Sequence, residues 1–212
     1  LESFTLSNLG NVYQNQGQHH TATEYLIKST EIAKAIGEKR RQRINLGKIG
    51  IVFFNLKQYQ EACEYFEKAA ASAHQDGDKH TEGVNLGNAG EVYFILKDWA
   101  KAREKLEQAI NICESINFPA HHAFRGMLAV VMVALGEPDK AVSLIEYSDT
   151  KLSHAPPEEG KFLCRKAIVF HSLGQQNQAR EALLRANGLV KKYSLHGHQE
   201  LMDLLIFTQS LF

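Results

Sequence analysis

Alanines 22, 62, 102, 141 and 179 recur along this chain at steps of 40, 40, 39 and 38 residues. Each is followed four positions later by a bulky residue: Leu26, Phe66, Leu106, Ile145 and Leu183. Seven positions later comes a small one: Ser29, Ala69, Ala109, Ser148 and Ala186. Spacings of four and seven fall on one face of an α-helix. Upstream, the same register aligns Gly10, Gly50, Gly90, Ala129 and Ala167, with Tyr13, Phe53, Tyr93, Met132 and Phe170 three positions beyond them. Each unit is therefore a pair of helices. Helix A carries small-x-x-aromatic, and helix B carries Ala-x-x-x-bulky-x-x-small. The small residue lets two backbones approach, and the large one fills the space beside it.

The turns agree with this register. Gly17, Gly136 and Gly174 fall between A and B, where a positive φ is cheap only for glycine. Gly37 and Gly77 mark the turns between units. Pro119, Pro138, Pro156 and Pro157 fall at junctions or first helical turns, where proline is tolerated. The triplet Asn-Leu-Gly occurs at 8, 45 and 85 but is two motifs. The first ends on the packing glycine Gly10. The other two lie one turn earlier in helix A, ahead of Gly50 and Gly90.

A helix pair repeated at near-constant period marks a solenoid. The segments "NLGNVYQNQGQHHTATEYLIKS" and "NAGEVYFILKDWAKAREKLEQA" resemble the tetratricopeptide repeat (TPR) in their small/aromatic/Ala/bulky/Ala order. The period of 40, against a family norm of about 34, is similar to the long-helix variant of kinesin light chains, spindle-orientation adaptors and bacterial regulators. The resemblance implies an all-α fold: a right-handed α-solenoid of five antiparallel helix pairs and a C-terminal capping helix. The expected boundaries are 1–37, 38–77, 78–117, 118–155 and 156–193 for the repeats, and 194–212 for the last helix. That helix has two readings: a cap over the fifth pair, which such arrays need for solubility, or the start of a sixth repeat or self-association helix.

In this family the A helices line the inner wall, so the resemblance implies a peptide-binding groove there. Its expected residues are Asn8, Asn11 and Asn15 in the first unit, and Lys48, Ile51 and Asn55 in the second. Asn88, Glu91 and Phe94 follow in the third, Met127 and Val130 in the fourth, and Arg165 in the fifth. Ile44 and Val84 project to the same wall. Asparagine both donates and accepts, so Asn8, Asn11, Asn55 and Asn88 can hold a peptide backbone. Ile51, Phe94, Met127 and Val130 supply apolar anchors, and Arg165 receives an acidic group. Gly47, Gly87 and Gly126 share an inner position, where they either expose backbone to a ligand or let neighbouring A helices pack closely. The two-carboxylate clamp of chaperone-tail-binding members is not expected. Its positions read Ser7, Asn11, Lys48, Val84 and Asn88, and only Asn11 matches.

Composition narrows the remaining classes. Lys+Arg and Asp+Glu are equal at 24 each, so there is no global basic footprint for nucleic acid. The longest interior apolar run, near Met127–Leu135, is far short of the ~20 residues of a membrane span. Cys63, Cys113 and Cys164 are too few and too widely spaced for a disulfide framework or zinc site. Buried thiols, no charged-then-apolar opening segment and no membrane span make cytoplasm the expected compartment. The first residue is Leu1, so the chain reads as a fragment or a trimmed form. His19-His20, His121-His122 and His196-x-His198 read as surface histidines, and "EKRRQR" (38–43) as a solvated face. No phosphate loop, nucleotide fingerprint, nucleophile elbow or metal spacing occurs. A non-enzymatic protein-interaction module with no cofactor or metal is the first reading, its partner a peptide or helix of another protein. The alternatives are a homodimerising scaffold and the sensor array of a larger bacterial signalling or transcription regulator.

Overall fold

The computed structural model describes residues 1–149 and 155–212. The end of the expected fourth repeat, 150–154, lies outside the described residues. Among those described there are eleven α-helices and no strand. They are α1 (Glu2–Asn15), α2 (His19–Ala35), α3 (Lys39–Asn55), α4 (Tyr59–Gln75), α5 (Lys79–Ile95) and α6 (Trp99–Ser115). Then follow α7 (Ala120–Ala134), α8 (Pro138–Asp149), α9 (Pro156–Ser172), α10 (Gln176–Tyr193) and α11 (Gln199–Gln209). Along the chain they alternate as A and B helices of five TPR-like pairs, with α11 last. Among the described residues no helix is long and apolar enough to cross a membrane.

The 40-residue period has a simple construction. Helices α2 to α6 are each 17 residues long. The turns between them at 36–38, 56–58, 76–78 and 96–98 are three residues each, so two helices and two turns make one period. Each turn is a Schellman motif, in which the residue after the helix cap turns left-handed and two amides close back on the last turn. After α1, Gly17 N–H donates to Gln14 O at 3.0 Å and Gln18 N–H to Tyr13 O at 2.9 Å. Phe53, Tyr93, Met132 and Phe170 accept the second bond in the equivalent turns. The conserved-register large residue of helix A is thus also the residue whose carbonyl ends that helix. Gly17, Gly136 and Gly174 are left-handed as expected (φ 73, 76 and 73°), but Lys57 and Lys97 take the same role at φ 59 and 61°.

Residues 1–98 and 99–212 form two compact units. In the first, α1 to α5 pack in sequence, and α3 also touches α1 and α5. A Cβ on Gly10 would stand 2.7 Å from Leu26 Cγ, and one on Gly50 would stand 2.7 Å from the Phe66 ring. The small residue of helix A therefore receives the bulky residue of helix B. Tyr13 stacks on Tyr25 with centroids 5.2 Å apart, and Phe53 on Tyr65 at 5.3 Å, one period further on. Leu26 and Phe66 are fully enclosed, each contributing about 1.5–3 kcal/mol of burial.

In the second unit α7 packs on α6, α8 and α9, and α9 on α7, α10 and α11. Helix α11 buries Leu201, Leu205 and Thr208. Leu201 seats on Gly160, where a Cβ would meet its methyls at 3.0 Å. Pro138 and Pro156 open α8 and α9, where no intrahelical amide bond is lost.

Two sequence expectations are corrected here. Arg43, in the run read as a solvated face, is only 4% exposed. Its guanidinium reaches the α4–α5 turn, donating to Asp76 at 2.6 Å and Asp78 at 2.9 Å. His122, read as a surface histidine, is 1% exposed and lies against His121 with ring centroids 4.0 Å apart. Both stand seven residues upstream of the packing position of their helix, Gly50 and Ala129, and both are buried there.

Candidate functional site

Helix α3 presents Arg40, Ile44, Lys48 and Ile51 along one stripe, at spacings of four, four and three. Helix α5 presents His80, Val84 and Asn88 at the same phase, one 40-residue period on. Equivalent faces of successive A helices thus stand side by side and enclose an open cavity of about 390 Å³. Its walls include Ile44, Ile51 and Val84, its polar rim Arg40, Asp78 and His80, and its floor Gly47 and Asn85.

The floor is set by helix packing. Asn85 donates to Thr81 O at 2.8 Å, and its Oδ1 would lie 2.8 Å from a Cβ on Gly47. Gly47 is buried, so its missing side chain admits Asn85 and does not expose backbone to a ligand. Asn45, one period earlier, is fully buried and bonds differently because its neighbours differ. Where α5 meets Gly47, α3 meets Ser7. Ser7 Oγ donates to Asn45 Oδ1 at 2.8 Å, Asn45 Nδ2 donates to Ser29 Oγ at 2.8 Å, and Ser29 Oγ donates to Ser3 O at 2.6 Å. The chain of bonds begins at the cavity: Lys48 Nζ donates to Ser7 Oγ at 3.0 Å.

Lys48 is half-buried, and no carboxylate pairs with it among the described residues. Burial, and then the nearby Arg41 charge, push its pKa down. The one carboxylate on the rim, Asp78, is already engaged. It caps α5 by accepting Thr81 N–H at 3.0 Å and Thr81 Oγ–H at 2.8 Å, and takes Arg43 at 2.9 Å. Burial pushes Asp78 up, but these donors outweigh it and hold its carboxyl below the usual range. The Asn88 amide makes no hydrogen bond among the described residues and lines the cavity.

Of the residues expected at a groove, the structure brings Lys48, Ile51 and Asn88 together here. Asn8, Asn15 and Asn55 are exposed on α1 and α3, Asn11 is partly exposed, and none lines the cavity. Glu91 and Phe94 are half-buried further along α5. In the second unit Val130 is half-buried, whereas Met127 and Arg165 are 7% and 5% exposed and so withdrawn from solvent. The cause is Gly126. A Cβ there would meet Phe162 Cα at 3.3 Å and Arg165 Cβ at 3.1 Å, so α9 lies directly on α7. Arg165 then donates to Ala123 O at 3.0 Å and ties α9 to α7. The buried amides Asn45 and Asn85 were missed as functional neighbours. Their signal in the sequence is the exact 40-residue return of Asn-Leu-Gly at 45 and 85.

The family model described as tetratricopeptide repeat matches residues 41–115, and a second model of that description matches residues 5–36. The chain belongs to the tetratricopeptide-repeat family. No curated protein sequence matches this TPR chain. Among solved structures it resembles the apo form of RapI, with TM-score 0.77 and 17% identity over 99% of this chain and 81% of that one. It also resembles the nearly identical TPR-like repeats ascribed to a kinesin light chain of Podosopora anserina, with TM-score 0.70 and 21% identity over 90% and 95%. A Rap protein complexed with competence and sporulation factor aligns with TM-score 0.66 and 16% identity over 99% of this chain and 65% of its own. At these identities the likeness is one of fold.

Proposed function

We propose that this TPR array is a non-enzymatic interaction module that holds a peptide or helix of a partner protein against its A helices. The observation that carries the reading is the α3–α5 cavity, where apolar walls meet an unbonded amide at Asn88 and a cation without a carboxylate at Lys48. Apolar concavities with a few convergent polar groups are the usual form of a binding site. The complex of a similarly folded Rap protein with competence and sporulation factor supports the same use of the fold. Asn55 at the end of α3, Phe94 near the end of α5 and Asn11 on α1 extend the contact beyond the cavity, with cytoplasm as the compartment. The test is affinity capture from source lysate with wild type beside a variant carrying Ile51→Arg and Asn88→Ala. A protein retained by wild type and lost by the folded variant is the expected result. Equal retention by both removes the cavity from the reading.

A second reading, a homodimerising scaffold, is favoured by exposed Leu184 on α10 and Ile206 and Phe207 on α11. Sedimentation velocity at high protein concentration decides it. A dimer that Ile206→Glu dissociates supports the scaffold, and a monomer throughout ends it.

A further inference from the structure

We propose that the α3–α5 cavity takes a peptide segment in which an acidic side chain stands next to an apolar one, the carboxylate on Lys48 and the apolar group against Ile44, Ile51 and Val84. The inference rests on the peptide-binding reading above and adds the chemistry of the ligand.

Charge is the first argument. The Lys48 ammonium has three N–H donors, and its one acceptor is the neutral Ser7 hydroxyl at 3.0 Å. That hydroxyl gives its own proton to Asn45, so it cannot also donate to a ligand. Arg40 on the rim has no ion pair among the described residues, and Asp78 is spent on Arg43 and Thr81. The cavity therefore carries uncompensated positive charge beside an apolar wall. A half-buried ammonium without an anion is costly, and a carboxylate would relieve it through a charge-assisted hydrogen bond.

Length is the second argument. The stripe from Arg40 to Ile51 covers eleven helical steps, roughly 16 Å, enough for about five extended residues. Lys48 lies inside this stripe, with Ile51 beyond it on one side and Ile44 on the other. A segment running along the stripe meets Lys48 with an internal residue, so the carboxylate belongs to an Asp or Glu side chain and not to a chain terminus. Asn88, facing the same space from α5, can both donate to and accept from the segment's backbone.

Two random octapeptide libraries, one with amidated and one with free C-termini, would be selected on wild type, K48M, K48R and K48E. Wild type should enrich Asp or Glu beside Leu, Ile, Val, Met or Phe from the amidated library. The selected peptides should bind K48M about tenfold more weakly in calorimetry. K48R should keep the acidic preference, which separates a charge effect from a folding effect, and K48E should turn it to Lys or Arg. Peptides enriched without an acidic residue, or an acidic preference unchanged in K48M, would overturn this assignment and leave peptide binding standing. Recovery of carboxylates only as free C-termini would overturn it likewise. If wild type enriches nothing from either library, the peptide-binding reading fails and the assignment fails with it.

Discussion

Single residues in this protein are tuned by backbone conformation and burial. Lys57 and Lys97 occupy left-handed turn positions at φ 59 and 61°, where the equivalent residues of other repeats are Gly17, Gly136 and Gly174. A side chain in that region costs roughly 1–2 kcal/mol, of which glycine's greater unfolded-state entropy takes back part. Lys57→Gly and Lys97→Gly should therefore each stabilise the chain by about 0.5–1 kcal/mol, read as a rise of roughly 2 °C in Tm. A fall in Tm for both would contradict this account of the turns. His122 shows the effect of burial. Its enclosure, and then the His121 and Arg125 charges, push its pKa down to about 4. An imidazole in the unfolded chain titrates near 6.5, so between these values the unfolded state binds the extra proton. Stability is full above about pH 6.5 and falls as pH drops toward 4. By pH 5 the loss should be about 2 kcal/mol. Denaturant midpoints at pH 7 and pH 5 should show it in wild type and show much less in His122→Gln.

At the scale of helices, one substitution changes sign with its neighbour. Gly50 in α3 faces the Phe66 ring, which a Cβ would meet at 2.7 Å, and Phe66 is enclosed. Gly50→Ala gains about 1 kcal/mol of helix propensity but forces the packed ring to move, at roughly 1–3 kcal/mol. It should destabilise by about 1 kcal/mol net. Gly188 in α10 is exposed, and nothing lies within 4 Å of its Cβ position. Gly188→Ala should stabilise by up to about 1 kcal/mol. Urea titrations of both variants check the pair, and shifts in the same direction would refute the packing role given to Gly50. Glycines 47 and 126 act similarly between successive A helices, and Gly160 does so between α9 and α11. Where α9 lies against Gly126 the inner face is closed, and where Asn85 fills Gly47 a cavity remains above it.

At the scale of the molecule, helices within each of the two compact units pack on near neighbours in the chain, the arrangement in which repeats open semi-independently. The three cysteines report on this. Cys63, Cys113 and Cys164 are buried thiols in α4, α6 and α9. Burial, aided by the Glu158 charge, pushes Cys113 up to about 12, and burial pushes Cys164 up to about 11. A disulfide reagent at pH 8 should therefore label none of them within minutes in native buffer and all three after denaturation. At intermediate urea, mass spectrometry should find three different labelling rates. One common rate would mean that the array opens as a single cooperative body.

The period, the helix pairing, the packing register and most turns were legible in the residues, because each depends on local geometry. Small and bulky residues that each recur at 40 can satisfy one another in only one phase, and proline and glycine punctuate a helix by their own φ preferences. Lys57 and Lys97 escaped that reading because tertiary packing imposes the turn where no glycine announces it. The candidate site was legible in part. Lys48, Ile51 and Asn88 follow from helical phase alone, whereas Met127 and Arg165 share that phase and are buried. The difference lies in what each glycine meets across the helix interface, which no single helix encodes. By itself the sequence determined that this chain is a TPR array and which residues share one stripe along each A helix. Only the tertiary structure decided where that stripe stays open, because openness depends on how closely two helices approach, and that distance is set by side chains from both.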